Sequence, residues 1–248
     1  MQKSAKRVLR FIKHGGHKRI LVIVRNFFKY VKLRNSRCYN SDQLVDIHFR
    51  AWSQTDHQNR EGLRLALEAL DNKQAIIIET GTSAHGTDSS RLFDSYVTRF
   101  GGTFFSVDIN PRPRIMLTFQ HSRKSKFIVS DSLKFLDEFR KNSTVEKVDL
   151  VYLDSWDVDW SNPIDSAIHG YREYQKIKGL LKPGSILVID DTPRTLHWIP
   201  IEFHKVAQEY KNSNGMYPGK GALIFKELED NLIAKKIWHE YNLVYKFN

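Results

Sequence analysis

Six carboxylates close apolar runs in this chain. Glu79 follows "QAIII", Asp108 follows "TFFSV", Asp131 follows "KFIVS", Asp154 follows "KVDLVYL", and the pair Asp190-Asp191 follows "GSILVI". A strand tip that only turns into solvent favours Gly, Asn or Pro. One acidic tip is readily explained as the N-cap of the next helix; acidic tips on five successive runs point to a shared polar site. After Asp154 the chain continues "SWDVDW", which interleaves Asp157 and Asp159 with Trp156 and Trp160. Asp157 and Asp159 read as supporting or solvated groups, and the two tryptophans either wall a ligand or pack in the core.

The elements that must position these groups alternate. A helical pattern spans Ser41 to Leu70, and the apolar runs at 74–79, 103–108, 126–131, 147–154 and 184–191 read as strands. Helical patterns separate them: 89–100, about 110–122, "SLKFLDEFRK" and 163–181. Strands and helices alternating in this way predict a parallel sheet covered on both faces. The end of the chain breaks the rule. "GALIFKEL" and "IWHEYNLVYKF" have too little between them for a crossover helix, so an antiparallel pair at the sheet edge is expected. In open parallel sheets ligands bind at the carboxyl ends of the strands, where the acidic residues fall.

The first strand leads into "ETGTSAHGTDSS" (79–90). Gly81 and Gly86 have the spacing of a phosphate-binding P-loop, but Thr87 and Asp88 stand where Lys and a hydroxyl are needed. Thr82-Ser83 interrupt a dinucleotide fingerprint, and a carboxylate before the loop suits a cationic ligand better than a pyrophosphate. Glu79-x-Gly81, Asp108, Asp131 in "VSDS" and "LLKPGSILVIDD", taken as an ordered set with the terminal hairpin, resemble the class I S-adenosylmethionine-dependent methyltransferases over about residues 45–247. The resemblance implies a Rossmann-like, doubly wound α/β sheet, mostly parallel, with seven strands. It implies S-adenosylmethionine (SAM) as cofactor, with the Gly81 loop against its methionine part, Asp108 on the ribose hydroxyls and Asp131, or the backbone beside it, at the adenine amino group. The cofactor site it implies comprises Glu79, Gly81, Thr82, Gly86, Ser89, Asp108, Ile109, Asp131, Ser132, Asp154 and Trp156. The five-residue spacing of Gly81 and Gly86 departs from the usual loop, whose glycines lie two and four apart.

In such a fold the fourth and fifth strands are neighbours, which brings Asp154 beside Asp190-Asp191. Three carboxylates in a half-buried cleft require a cation, and no Lys or Arg stands among them in the sequence. Oxygen-only ligands favour a hard ion, Mg²⁺ or another divalent cation. "LDSWD" and "VIDDT" resemble the metal-dependent O-methyltransferases, which include the catechol and macrolide-sugar enzymes; this implies Asp154, Asp190 and Asp191 as ligands and a metal that orients and activates a hydroxyl. Where catechol-type enzymes carry a catalytic lysine this chain has Asp157, so His169, His197 and Asp154 are the catalytic candidates. The acceptor expected is a hydroxyl of a small molecule or carbohydrate. A ribose methyltransferase and a non-catalytic binding domain are the alternatives. Base-amine methylation is disfavoured, because no Asn/Asp-Pro-Pro-aromatic motif follows the fourth strand.

Charge divides the chain. Residues 1–41 hold twelve Lys/Arg and no Asp or Glu, whereas the remainder holds 27 basic and 28 acidic residues. The expected organisation is a basic helical arm (1–41) and a catalytic domain (42–248). Within the arm, Ile20, Val24, Phe27, Phe28 and Val31 recur at helical spacing. The pattern fits either a helix packed on the core or contact with an anionic membrane surface through residues 1–37; nucleic acid is a weaker candidate, and an oligomer is compatible. Cys38 is the only cysteine, which excludes an intrachain disulfide and fits a reducing compartment. The apolar stretch Ile20–Val24 is too short for a secretory signal. The expected location is cytoplasmic, peripheral at the inner membrane surface.

Overall fold

The computed structural model describes residues 17–34, 38–83, 86–117 and 120–248. Helix α1 (His17–Arg34) is followed by α2 (Ser41–Trp52) and α3 (Arg60–Glu68). The alternating part runs β1 (Ala75–Thr80), α4 (Ser89–Phe100), β2 (Gly102–Asp108), α5 (Pro111–Met116), β3 (Ser125–Val129), α6 (Ser132–Asn142), β4 (Leu150–Leu153), α7 (Ile164–Ile177) and β5 (Ile186–Ile189). Helices α8 (His204–Asn214) and α9 (Ala222–Asn231) precede β6 (Ala234–His239) and β7 (Leu243–Phe247). The seven strands lie in the order β3-β2-β1-β4-β5-β7-β6. β1 to β5 pair in parallel, while β7 is antiparallel to both β5 and β6.

Central strands buried on both faces explain why the runs are continuously apolar rather than alternating. Ile77, Phe104, Leu150, Tyr152 and Val188 pack beneath α2, α3 and α4. Ile78, Val151, Leu153, Leu187 and Ile189 pack on the other side with α6, α7 and α9. The order of the sheet reverses direction at β1 and β4, and this is where an open sheet leaves a crevice.

Three expected elements differ. The helix expected over Ser41–Leu70 is broken between Trp52 and Arg60, and this break carries His57, Gln58 and Asn59 to the crevice. "GALIFKEL" is not a strand: Gly221 caps α9 and the rest lies within it, and both strands of the hairpin come from residues 234–247. The helix expected at 110–122 reduces to Pro111–Met116, with Asn110 as its N-cap.

The basic arm is docked on the domain, but not by its apolar face. The Tyr30 hydroxyl donates to Asp94 Oδ2 (3.1 Å), Lys29 Nζ lies 4.3 Å from the Trp52 ring centre, and Arg99 donates to the Leu33 carbonyl. Val24, Phe27, Phe28 and Val31 face outward, Phe28 with 67% of its surface exposed. The expectation of a helix burying its apolar face in the core is corrected on this point. The side chain of Ile20 and all of residues 1–16 lie outside the described residues. No helix among the described residues is long and apolar enough to cross a membrane.

Candidate active site

The carboxyl ends of β1, β2, β4 and β5 border a cleft of about 500 Å³, lined by His57, Asn59, Gly81, Thr82, Asp108, Asp154, Asp190, Asp191 and Tyr241 among others. Its first wall is the β1–α4 loop. Gly81 has φ +81°, and a Cβ there would stand 2.2 Å from the Asp154 carbonyl oxygen. Only glycine lets the ends of β1 and β4 approach this closely. Thr82 then donates its N–H to Asp108 Oδ2 (3.0 Å), and Asn110 donates its N–H to Asp108 Oδ1 (2.6 Å). Each oxygen of Asp108 therefore has one backbone donor, and a carboxylate retains further lone pairs for a ligand. Ile109, beside it, is 74% exposed and presents an apolar surface at the same tip.

Glu79 does not meet the cleft. It is fully buried beneath the loop, where Ser89, Ser90 and Ser106 donate hydroxyls to it at 2.5–2.6 Å. Glu79 and Ser89 thus tie the loop to the end of β1, with the glutamate held by three serines. Burial pushes the Glu79 carboxyl up to about 7, against the pull of these hydroxyls. The folded state then keeps its proton up to about pH 7, whereas the unfolded chain releases it near 4.5. Stability contributed by the protonated form is complete below pH 4.5 and declines between pH 4.5 and 7, by roughly 3 kcal/mol at most. Glu79→Gln is expected to flatten this part of the stability curve, read from urea midpoints across that window; an unchanged slope would contradict the assignment.

Asp131 is exposed at the end of the β3 loop. It is the N-cap of α6, accepting from Lys134 N–H at 2.9 Å, and it does not line the cleft. Ser132 bonds to His169 Nε2 at 3.2 Å. His169 is engaged besides with Ser155 Oγ (3.0 Å) and Glu173 (3.5 Å), and its ring packs against Trp156, centroids 5.0 Å apart. It serves as a strut behind the β4 loop and is absent from the cleft lining, as are Ser132 and Trp156. His197 is exposed in a short 3₁₀ turn against Trp198, likewise outside the lining. Neither histidine lines the cleft. Gly86, also of the first loop, does line the cleft.

The second wall is acidic. Leu153 pairs with Ile189, so Asp154 and Asp190 leave adjacent strands side by side. Asp190 accepts from Tyr152 OH (2.7 Å) and Asn59 Nδ2 (3.0 Å) through Oδ2, and from Asp191 N–H (2.9 Å) through Oδ1. Asp191 accepts from the Tyr241 hydroxyl. Burial, followed by the charges of Asp190 and Asp191, drives Asp154 well above the usual carboxylate range despite a nearby ammonium. Burial and Asp191 do the same to Asp190.

That ammonium is Lys220. Its Nζ lies 2.6 Å from Asp154 Oδ1 and 2.9 Å from Asp191 Oδ2, and the residue is 2% exposed. Burial would depress it, but Asp154, Asp191 and Asp190 together hold it above the ordinary lysine value. The expectation that no basic group neutralises the cluster is therefore corrected, and with it the expected Asp154/Asp190/Asp191 metal site. The position between Asp154 and Asp191 is filled by the Lys220 ammonium, and Asp190 Oδ2 already accepts from two side chains. Among the described residues no group of three or more His, Cys, Asp or Glu is disposed to hold a metal ion. The residues do not fit a divalent ion.

No protein-family model matches the sequence, and no curated protein matches it. Solved structures do match. The MycE methyltransferase from the mycinamycin biosynthetic pathway, in complex with Mg, SAH and mycinamycin VI, superimposes with a TM-score of 0.58 at 16% identity, covering 86% of this chain and 56% of that one. MycE with Mg and SAH alone gives the same score and identity, with 55% of its chain covered. An O-methyltransferase from Bacillus cereus in complex with SAH covers 86% of this chain and 92% of its own at 14% identity, with a TM-score of 0.46. The chain spans little more than half the length of the MycE structures. Its fold is that of the class I SAM-dependent methyltransferases.

Proposed function

We propose that the chain is a SAM-dependent O-methyltransferase acting on a hydroxyl of a small molecule or carbohydrate. The observation that carries this reading is Asp108: a carboxylate fixed by two backbone N–H groups at the tip of β2, on the wall of a cleft whose opposite wall is acidic. A ribose diol needs two acceptor oxygens, and a sulfonium suits an acidic cleft. The SAH bound in the MycE complexes supports the same ligand class. Among the described residues the lining includes Asp108, Asp154, Asp157, Asp190 and Asp191 and no Lys or Arg. This favours a neutral or cationic acceptor over one bearing phosphates, as nucleic acid does.

When bound, SAM would supply a sulfonium methyl group to the acceptor oxygen, with the neutral thioether S-adenosylhomocysteine as the other product. Asp154, which lines the cleft and whose Oδ1 is held by Lys220, would take the hydroxyl proton. Orientation of oxygen, methyl carbon and sulfur in line supplies much of the acceleration. The test is transfer of labelled methyl from SAM to a panel of neutral polyols and phenols, with phosphorylated analogues as controls. Transfer confined to the phosphorylated compounds would overturn the acceptor class.

The exposed face of α1 favours a further reading, attachment to an anionic membrane surface. Val24, Phe27, Phe28 and Val31 form one apolar stripe, and exposed Arg25 and Lys32 border it. An amphipathic basic helix of this kind lies in the plane of a lipid interface. Sedimentation with phosphatidylserine vesicles is expected to be lost in Phe28→Asp and weakened by salt; equal sedimentation of wild type and variant would sink this reading.

A further inference from the structure

Three carboxylates meet at the tips of β4 and β5, and the cation among them belongs to the chain itself. Lys220 sits on the loop between α8 and α9, and its backbone is laid directly on the acidic tip. Its N–H donates to the Asp191 carbonyl (3.1 Å), and the next N–H, that of Gly221, donates to Thr192 Oγ1 (3.0 Å). A Cβ on Gly219 would stand 2.3 Å from the Asp191 carbonyl oxygen, so glycine at that position is what allows the loop to lie so close. The loop thus delivers the Lys220 side chain between Asp154 and Asp191, at 2.6 and 2.9 Å. An ammonium buried this deeply is tolerated only when it is paired and hydrogen-bonded. Asp154, Asp190, Asp191 and Tyr241 line the cleft, whereas Lys220 does not. It stands behind the carboxylates and acts through them.

We propose that Lys220 is a built-in replacement for a divalent cation: a positioning residue that holds Asp154 and Asp191 toward the cleft, so that the site works without a metal. The proposal rests on the methyltransferase reading for what the site does, but its cation assignment is tested separately. A monovalent ammonium fixed by the chain supplies the counter-charge that three clustered carboxylates need. It leaves no vacancy between Asp154 and Asp191 for an ion that prefers several oxygen ligands.

The experiment uses the full chain and Mn²⁺ as the probe, followed by electron paramagnetic resonance and calorimetry. Wild type is expected to bind no Mn²⁺ at ~1 mM, the weak end of protein sites for hard divalent ions. Lys220→Ala opens the position between the carboxylates and is expected to gain one Mn²⁺ site, which Asp154→Ala in the same background removes. A lysine that only supported the fold would not produce this gain when removed. One equivalent of Mn²⁺ bound by wild type and lost in Asp154→Ala would overturn the proposal, as would a folded Lys220→Ala that binds none. If Lys220→Ala does not fold, the wild-type titration decides. SAM titration of the same wild-type protein keeps the two readings apart. No SAM binding together with the expected Mn²⁺ results would sink the methyltransferase reading and leave the cation assignment standing.

Discussion

Asp108→Ala is expected to lower SAM affinity by ~100-fold or more, with the fold retained. The carboxylate ends β2 at the edge of the cleft, where Thr82 and Asn110 N–H groups fix its orientation. Hydrogen bonds from a ligand to a charged group are worth roughly 1.5–3 kcal/mol each, so losing two of them accounts for this drop. Asp108→Asn keeps one acceptor oxygen and should fall between the two. Calorimetric titration checks both, with the thermal midpoint of each variant as the control for folding. Unchanged affinity in Asp108→Ala would remove the ribose assignment.

Gly81→Ala is expected to lose both cofactor binding and stability. Its backbone is left-handed, which costs a residue with a Cβ roughly 1–2 kcal/mol on its own. The added carbon would also meet the Asp154 carbonyl oxygen at 2.2 Å, and that atom belongs to the end of β4 and cannot swing aside as a side chain would. The loops of β1 and β4 must separate, and Thr82 and Asp154 move with them. The measurement is a thermal midpoint alongside the SAM titration. Wild-type values in both would show that the close approach of the two strand ends is unimportant.

The scaffold was legible in the sequence because its signals are local. Five apolar runs, each ended by an acid and separated by amphipathic segments, specify a parallel sheet whatever the side chains touch. The edge was harder. "GALIFKEL" is apolar enough for a strand, yet it forms a helix that buries Ala222, Ile224 and Leu228. The hairpin turns at Glu240–Asn242, without the glycine that usually marks a tight turn. The site was legible only as carboxylates at tips. Local contacts separate them: Glu79 is enclosed by serines, Asp131 caps a helix, and Asp108, Asp154, Asp190 and Asp191 line the cleft. Lys220 lies 66 residues beyond Asp154, and no periodicity relates the two. Its one local signal is the Gly219-Lys220-Gly221 context, which places a long cationic side chain on a backbone able to approach another closely. Asn59 was concealed in the same way, inside what reads as one helix from Ser41 to Leu70.

SAM binding in the cleft between Asp108 and the acidic wall is tested by calorimetric titration of the full chain with SAM and with S-adenosylhomocysteine, in the presence of chelator. One equivalent of either ligand should bind with chelator present, and binding should be abolished or strongly weakened in Asp108→Ala. No binding of either ligand, or equal binding by wild type and Asp108→Ala, would contradict it.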